Sequence, residues 1–255
     1  MENLIGLIGV FAAGVIAGAI NSVAGGGSLV SFPSLVAFGM PAILANATNT
    51  AAMWPGALSS AVAYSRDTRP DRQLLLTLFL PSLIGGLLGA IVLVITPPEL
   101  FNRVVPFLVL FATLLFASRD LFDRLIKRGA AEERVSTLGR IWGFLFQLFI
   151  ATYGGYFGAG IGILMLGSLS IMGLRDIHRM NGLKTVLTTL INVIAFIYFA
   201  LRGLVVWHIA LVMGFGAIVG GFGGARLAKR VDQRILRFFV IAVGLVVSAW
   251  FFFKP

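Results

Sequence analysis

The sequence predicts an all-α, polytopic transmembrane protein built as two tandem inverted repeats of about five hydrophobic segments each. Three observations carry this expectation. The 255-residue chain is 58% hydrophobic and only 12% charged, roughly half the charge of an ordinary soluble domain. Apolar stretches long enough to cross a bilayer recur along its length, Leu74–Ile95 and Gly203–Ala225 among them. One unusual arrangement also occurs twice. Ala24-Gly25-Gly26-Gly27-Ser28 and Phe157-Gly158-Ala159-Gly160-Ile161-Gly162 each interrupt an apolar run, and each is followed by a polar cluster, Asn46-Ala47-Thr48-Asn49-Thr50 or Asn181-Gly182-Leu183-Lys184-Thr185. Each cluster is followed, at the same interval, by a glycine ladder, Gly85-Gly86-x-x-Gly89-Ala90 or Gly220-Gly221-x-x-Gly224-Ala225.

In chain order, the first half offers apolar segments at about Leu4–Ile20, Ser28–Leu44, Ala47–Tyr64, Leu74–Thr96 and Val104–Ser118. The second half offers Ile141–Tyr156, Ile161–Leu174, Leu183–Leu201, Gly203–Ala225 and Phe238–Phe253. Several fall short of the ~20 residues that a spanning helix needs. The second segment of each half is the weakest, which suggests a half-helix or re-entrant piece. Merging it with its predecessor gives eight helices, and keeping it gives ten. On this reading residues 1–125 form the first membrane repeat, 126–140 a basic cytoplasmic linker and 141–255 the second repeat.

Charge arbitrates the topology. Basic residues gather in Ser65–Gln73, Arg119–Arg140, Arg175–Arg179 and Arg226–Arg237. Five crossings per half place all four loops on one side, which the positive-inside rule makes cytoplasmic. If the second segments only dipped in, Arg226–Arg237 would be forced outside, so five crossings are expected. An odd number inverts the second repeat relative to the first, the design that gives a transporter two pseudo-symmetric gates around a midplane site. The net charge of +10 is accounted for by these loops and does not call for nucleic acid. The first segment lacks a basic n-region, so it reads as a resident helix of a cell-membrane protein rather than a cleavable signal.

The glycine breaks allow sharp turns and close approach of backbone amides to a ligand at Gly25, Gly26 and Gly27 and again at Gly158 and Gly160. The segment starting at Ser28 would expose free N–H groups and the positive end of its dipole. Two such N-termini, entering from opposite sides, would make an anion site. The competing reading is that the glycines only permit close helix packing; for the two ladders, which no polar residue accompanies, packing is the expectation. Asn46, Asn49 and Thr50 share one helical face at i, i+3 and i+4, and Asn181, Lys184 and Thr185 repeat that spacing. A lysine within an apolar segment is a functional candidate, and its alternative is to snorkel to the interface. Asn21, Ser22 and Asn192 are either substrate contacts or interhelical hydrogen-bonding groups.

The absences exclude several functions. All ten acidic residues fall in loops or at a terminus, so no carboxylate is placed to bind sodium, a metal or a proton within the membrane. Zero cysteines remove thiolate and disulfide chemistry. His178 reads as a loop residue and His208 as an interfacial one. Neither a nucleophile–base pair nor a metal-ligand spacing occurs, so neither an enzyme nor a cofactor is expected.

With these residues in view, the pattern resembles the TauE/SafE family of sulfite and organosulfonate permeases, the 4-toluene sulfonate uptake permease group. The carrying stretches are Gly18-Ala-Ile-Asn-Ser-Val-Ala-Gly-Gly-Gly-Ser28, Pro33, Ala45-Asn-Ala-Thr-Asn-Thr50, Gly154-Gly-Tyr-Phe-Gly-Ala-Gly160 and Arg175-Asp-Ile-His-Arg-Met-Asn-Gly-Leu-Lys-Thr185. Leu166 departs from the duplication, standing where the first repeat has Pro33. The resemblance implies a small sulfur-containing anion as substrate: sulfite, an organosulfonate, sulfoacetate or a relative. Without a membrane carboxylate, voltage-driven export is expected over ion-coupled uptake, since an outgoing monoanion gains about 2.3 kcal/mol per 100 mV. An anion channel and a non-transporting membrane scaffold or assembly factor are the alternatives. Assembly as a homo-oligomer is left open.

Overall fold

The structure, a computed structural model, describes residues 4–23, 26–64, 72–118, 137–172, 174, 177–227 and 233–253. Among them are ten α-helices and no strand. The first five are α1 (Leu4–Val23), α2 (Ser28–Ala37), α3 (Ala42–Tyr64), α4 (Arg72–Ile95) and α5 (Pro98–Ala117). The second five are α6 (Thr137–Tyr156), α7 (Ile161–Ile171), α8 (Ile177–Leu201), α9 (Trp207–Leu227) and α10 (Gln233–Phe253). Five stretches are long and apolar enough to span a bilayer: Leu4–Ser22, Leu74–Ile95, Pro98–Ala117, Gly182–Leu201 and Trp207–Gly224. Large apolar side chains such as Phe107, Phe149, Phe215 and Val246 face outward, as lipid-facing residues do. The protein is a multi-pass membrane protein.

Several boundaries differ from the sequence expectation, each for a local reason. The apolar run from Ser28 to Leu44 is two elements, because α2 ends in a Schellman motif. Gly39 takes φ +90, the Met40 amide returns to Leu35 O and the Gly39 amide to Val36 O, and Pro41 follows. The same motif closes α8: Gly203 takes φ +70, its amide reaches Ala200 O, and the Leu204 amide reaches Phe199 O. Helix α9 therefore starts at Trp207 rather than Gly203. Helix α6 begins at Thr137, inside the expected linker, whose remainder lies outside the described residues. Glu99, expected in a loop, sits exposed on the first turn of α5, where a carboxylate suits the helix dipole. His178 is likewise on the first turn of α8, its side chain outside the described set. The basic stretches at 65–71, 119–136, 175–176 and 228–232 are outside the described residues too.

Helices α2 and α7 have 10 and 11 residues, so each rises about 15–17 Å, half the bilayer core. Each still reverses the chain. Phe38 packs on Gly9 while Gly27 packs on Ala17, so α2 runs antiparallel to α1. Met172 packs on Gly143 while Ile161 packs on Gly154, so α7 runs antiparallel to α6.

The halves pack by exchange. Helix α1 lies along α9, and α4 along α6; α3 packs on α9, and α8 on α4; α5 pairs with α10. The glycine ladders make the first two seams. A Cβ on Gly220 would overlap Val15 O, and one on Gly89 would overlap Thr152 O. Because lipid is as apolar as leucine, helices in a membrane associate by van der Waals contact, and small residues let backbones approach. The ladders are packing elements. Both seams are parallel, since Gly14 and Gly18 meet Met213 and Ala217 in order, and Gly85 and Gly89 meet Leu148 and Thr152 in order.

Candidate functional site

At the first break, Gly26 (φ +148) leaves the end of α1, and Asn21 Oδ1 accepts its amide at 3.4 Å. The first turn of α2 closes on Gly26 O and Gly27 O, which take the amides of Leu29, Val30 and Ser31. The amides of Gly27 and Ser28 have no acceptor among the described residues, as is usual at a helix N-terminus. Gly25 lies outside the described residues. From α3, the buried Asn49 comes down on α2, and Ser31 Oγ donates to its Oδ1 at 2.5 Å. Asn49 is 2% exposed, and its Nδ2 donates to no group among the described residues.

At the second break, Gly158 and Gly160 both take left-handed φ, +78 and +77, which costs L-residues roughly 1–2 kcal/mol each. Helix α7 starts with Gly160 as its N-cap and no side-chain cap. Lys184 of α8 reaches this turn: a Cβ on Gly162 would meet Lys184 Cδ at 3.3 Å. The half-buried lysine thus lays its stem along the first turn of α7. Tyr153 of α6 holds the break from the other side, its hydroxyl donating to Ala159 O at 2.6 Å.

The two breaks meet on α5. A Cβ on Gly26 would press on the Phe116 ring at 2.8 Å, and one on Gly160 would meet Ala112 Cα at 3.5 Å. Ala112 and Phe116 are one turn apart, about 6 Å along the axis. Across the same place Phe32 of α2 stands edge-on to Phe157 of the second break, centroids 5.3 Å apart. Asn46 Nδ2 donates to Tyr156 O, the last residue of α6, at 2.8 Å. The first polar cluster is therefore hydrogen-bonded to the rim of the second break.

Other residues of the two clusters and their surroundings have more local duties. Thr50 Oγ1 donates back to Asn46 O, and the Thr185 carbonyl accepts from Thr189. Ser22 Oγ donates to Ala19 O and faces Gly224 across the α1–α9 seam. Asn181 lies in α8, its side chain outside the described set. Thr48, which shares the first cluster with Asn46 and Asn49, accepts the Val206 amide at the head of α9.

The sequence pattern does not single out Tyr153 or Ser31, and it leaves Asn192 undecided. Asn192 Oδ1 stands 3.8 Å from where a Gly158 Cβ would be, so this α8 amide borders the second break. The available signal for Tyr153 is a tyrosine inside an apolar helix one turn and a half before a glycine break, since a buried phenol needs a partner. Ser31 carries none, because a helical serine ordinarily bonds to its own preceding turn.

Among the described residues no cluster of His, Cys, Asp and Glu could hold a metal. The two breaks instead bring together helix N-termini, neutral amides and hydroxyls, and one lysine, a set of groups of the kind that can receive an anion.

Comparison with known proteins places the chain among membrane transporters. The family described as sulfite exporter TauE/SafE matches residues 10–251. A probable membrane transporter protein of Haemophilus influenzae is 28% identical over 95% of this chain and 96% of its own length. The probable membrane transporter protein ORF9 of a Sinorhizobium species is 28% identical over 93% of this chain and 89% of its own. The probable membrane transporter protein YfcA of Escherichia coli is 27% identical over 95% and 88%. No solved structure matches. A helical bundle crossing the membrane, two polar breaks meeting inside it and a match over nearly the full length lead to one conclusion: this chain belongs to the TauE/SafE family and is a membrane transporter, not an enzyme.

Proposed function

We propose that this transporter exports a small, sulfur-containing oxyanion such as sulfite, an organosulfonate or sulfoacetate, and that the anion is held between the two breaks. The observation that carries the reading is the Lys184 stem lying along Gly162 in the first turn of α7. The stem brings a cation to the positive end of a helix dipole, and both favour a negatively charged ligand. Amides at Gly25, Gly26, Gly27, Ser28, Gly158 and Gly160 would donate to its oxygens. Asn46, Asn49, Thr50, Asn181 and Thr185 would add neutral groups, with Asn21 and Ser22 at the edge.

The reading extends to mechanism. Residues 1–125 and 141–255 act as inverted repeats joined by the linker 126–140. The exchange of helix partners between halves and the parallel α1–α9 and α4–α6 seams support this. Rocking one repeat against the other would expose the breaks to each side in turn. With no carboxylate at the breaks, the membrane potential supplies the drive, roughly fifty-fold accumulation outside per 100 mV for a monoanion.

The test is flux of radiolabelled sulfite in proteoliposomes with an imposed potential. Saturable flux that follows voltage and is accelerated by unlabelled sulfite on the opposite side is expected. Strict dependence on a sodium or proton gradient would overturn the uncoupled mechanism, and flux that never saturates would mark a channel. Thermal stabilisation compared across sulfite, thiosulfate, sulfonates and sulfoacetate ranks the substrates.

A further inference from the structure

We infer that Tyr153 is a positioning residue of the anion site, aiming the Gly160 amide into the second break; this rests on the reading above.

Tyr153 grips the break at two points. Its own carbonyl accepts the amides of Phe157, at 2.9 Å, and Gly158, at 3.2 Å. Its hydroxyl crosses the break to Ala159 O at 2.6 Å, a short O–H···O bond. The ring is fixed by an edge-on contact with Phe111 of α5, centroids 5.6 Å apart. Nothing in the helical geometry of α6 requires that hydroxyl bond, and a phenylalanine would pack in the same place.

The consequence follows from peptide planarity. The Ala159–Gly160 bond is trans, so its C=O and N–H point in opposite directions. Drawing the Ala159 carbonyl towards Tyr153 turns the Gly160 N–H away from α6. That amide has no acceptor among the described residues, and it belongs to the N-cap of α7, next to Gly162 and the Lys184 stem. The same bond occupies a carbonyl oxygen that would otherwise be free to turn towards an incoming anion and repel it. One hydroxyl thus presents a donor and retires an acceptor.

The first break lacks this device. Aligning the glycine breaks puts Ile20 opposite Tyr153, and Ile20 is fully buried and apolar. Its neighbour Asn21 takes up the Gly26 amide instead, and among the described residues no tyrosine hydroxyl holds the carbonyl that precedes the free Gly27 amide, the counterpart of Gly160. On this inference Tyr153 sets how strongly the second break contacts the anion.

The test is Tyr153→Phe in proteoliposomes with radiolabelled sulfite, beside Tyr198→Phe, an α8 residue near the outer end, as the matched control. We expect KM for sulfite to rise about tenfold, the usual effect of losing one hydrogen bond, with the maximal rate within about twofold. Hydrogen exchange of the segment containing Gly160 gives a second readout. Sulfite should slow it in the wild type and in Tyr198→Phe but not in Tyr153→Phe. A fall in maximal rate and thermal midpoint with KM unchanged would reduce Tyr153 to a structural residue and overturn the inference. A wild type that neither transports sulfite nor gains protection from it would overturn the substrate reading and the inference together.

Discussion

At the first break the chain between α1 and α2 is held by an acceptor: Asn21 Oδ1 takes the Gly26 amide at a long 3.4 Å. At the second, between α6 and α7, it is held by a donor: the Tyr153 hydroxyl takes the Ala159 carbonyl at 2.6 Å. The polar helix that follows differs in the same sense. Helix α3 brings a neutral amide, Asn49, onto Ser31 of α2, whereas α8 brings a cation, Lys184, onto the first turn of α7. The duplication keeps a glycine-broken entry to each short helix, but the backbones differ, with Gly27 in a right-handed conformation (φ -54) and Gly160 in a left-handed one (φ +77), and so do the side chains around them. On the function proposed above, the first copy would supply neutral contacts and the second positive potential. If the proposed site holds, charge on one side only would let it bind an anion without trapping it, as a carrier requires for release.

The widest test of this asymmetry compares Lys184→Ala with Asn49→Ala. Losing a charged partner should lower flux efficiency about a hundredfold, and losing a neutral one about tenfold, read as initial rate over sulfite concentration in proteoliposomes. Equal effects would mean that the two copies contribute alike. Next is Asn46→Ala, which removes the bond to Tyr156 O and leaves a carbonyl at the rim without its donor. The cost is about 1–3 kcal/mol, seen as a thermal midpoint lowered by about 5 °C. An unchanged midpoint would show that the halves are not tied there. The smallest effect separates geometry from function. Gly160→Ala and Gly39→Ala both force a side chain into left-handed backbone, φ +77 and +90. Neither meets a contact closer than 3.5 Å, so each should cost about 1–2 kcal/mol of stability. Only Gly160→Ala should also raise KM for sulfite, by a few-fold; a parallel rise in Gly39→Ala would remove the special role of the second break.

Much of this molecule is legible in the order of its residues. Lys184 stands out because an ammonium in an apolar helix is expensive, and the duplicated glycines stand out because broken backbone in a membrane must line something. The Schellman stop of α2 is also written in Gly39 and Pro41, although an unbroken apolar run disguises it. What escapes is pairing. Tyr153 and Ala159 are close in sequence, yet their bond depends on the left-handed turn that begins at Gly158 between them. Ser31 and Asn49 are joined only because α2 folds back between α1 and α3.

By itself the sequence determined the membrane setting and the duplicated glycine and polar motifs, because composition and local backbone preference are properties of the chain alone. Only the tertiary structure decided which copy of the break lies against which helix, that both meet one turn apart on α5, and which helices the ladders join. The physical reason is the solvent. In water, apolar periodicity tells which face of a helix is buried; in lipid both faces are apolar, so helix partners are chosen by shape and by a few polar contacts, which appear only when the helices are packed together.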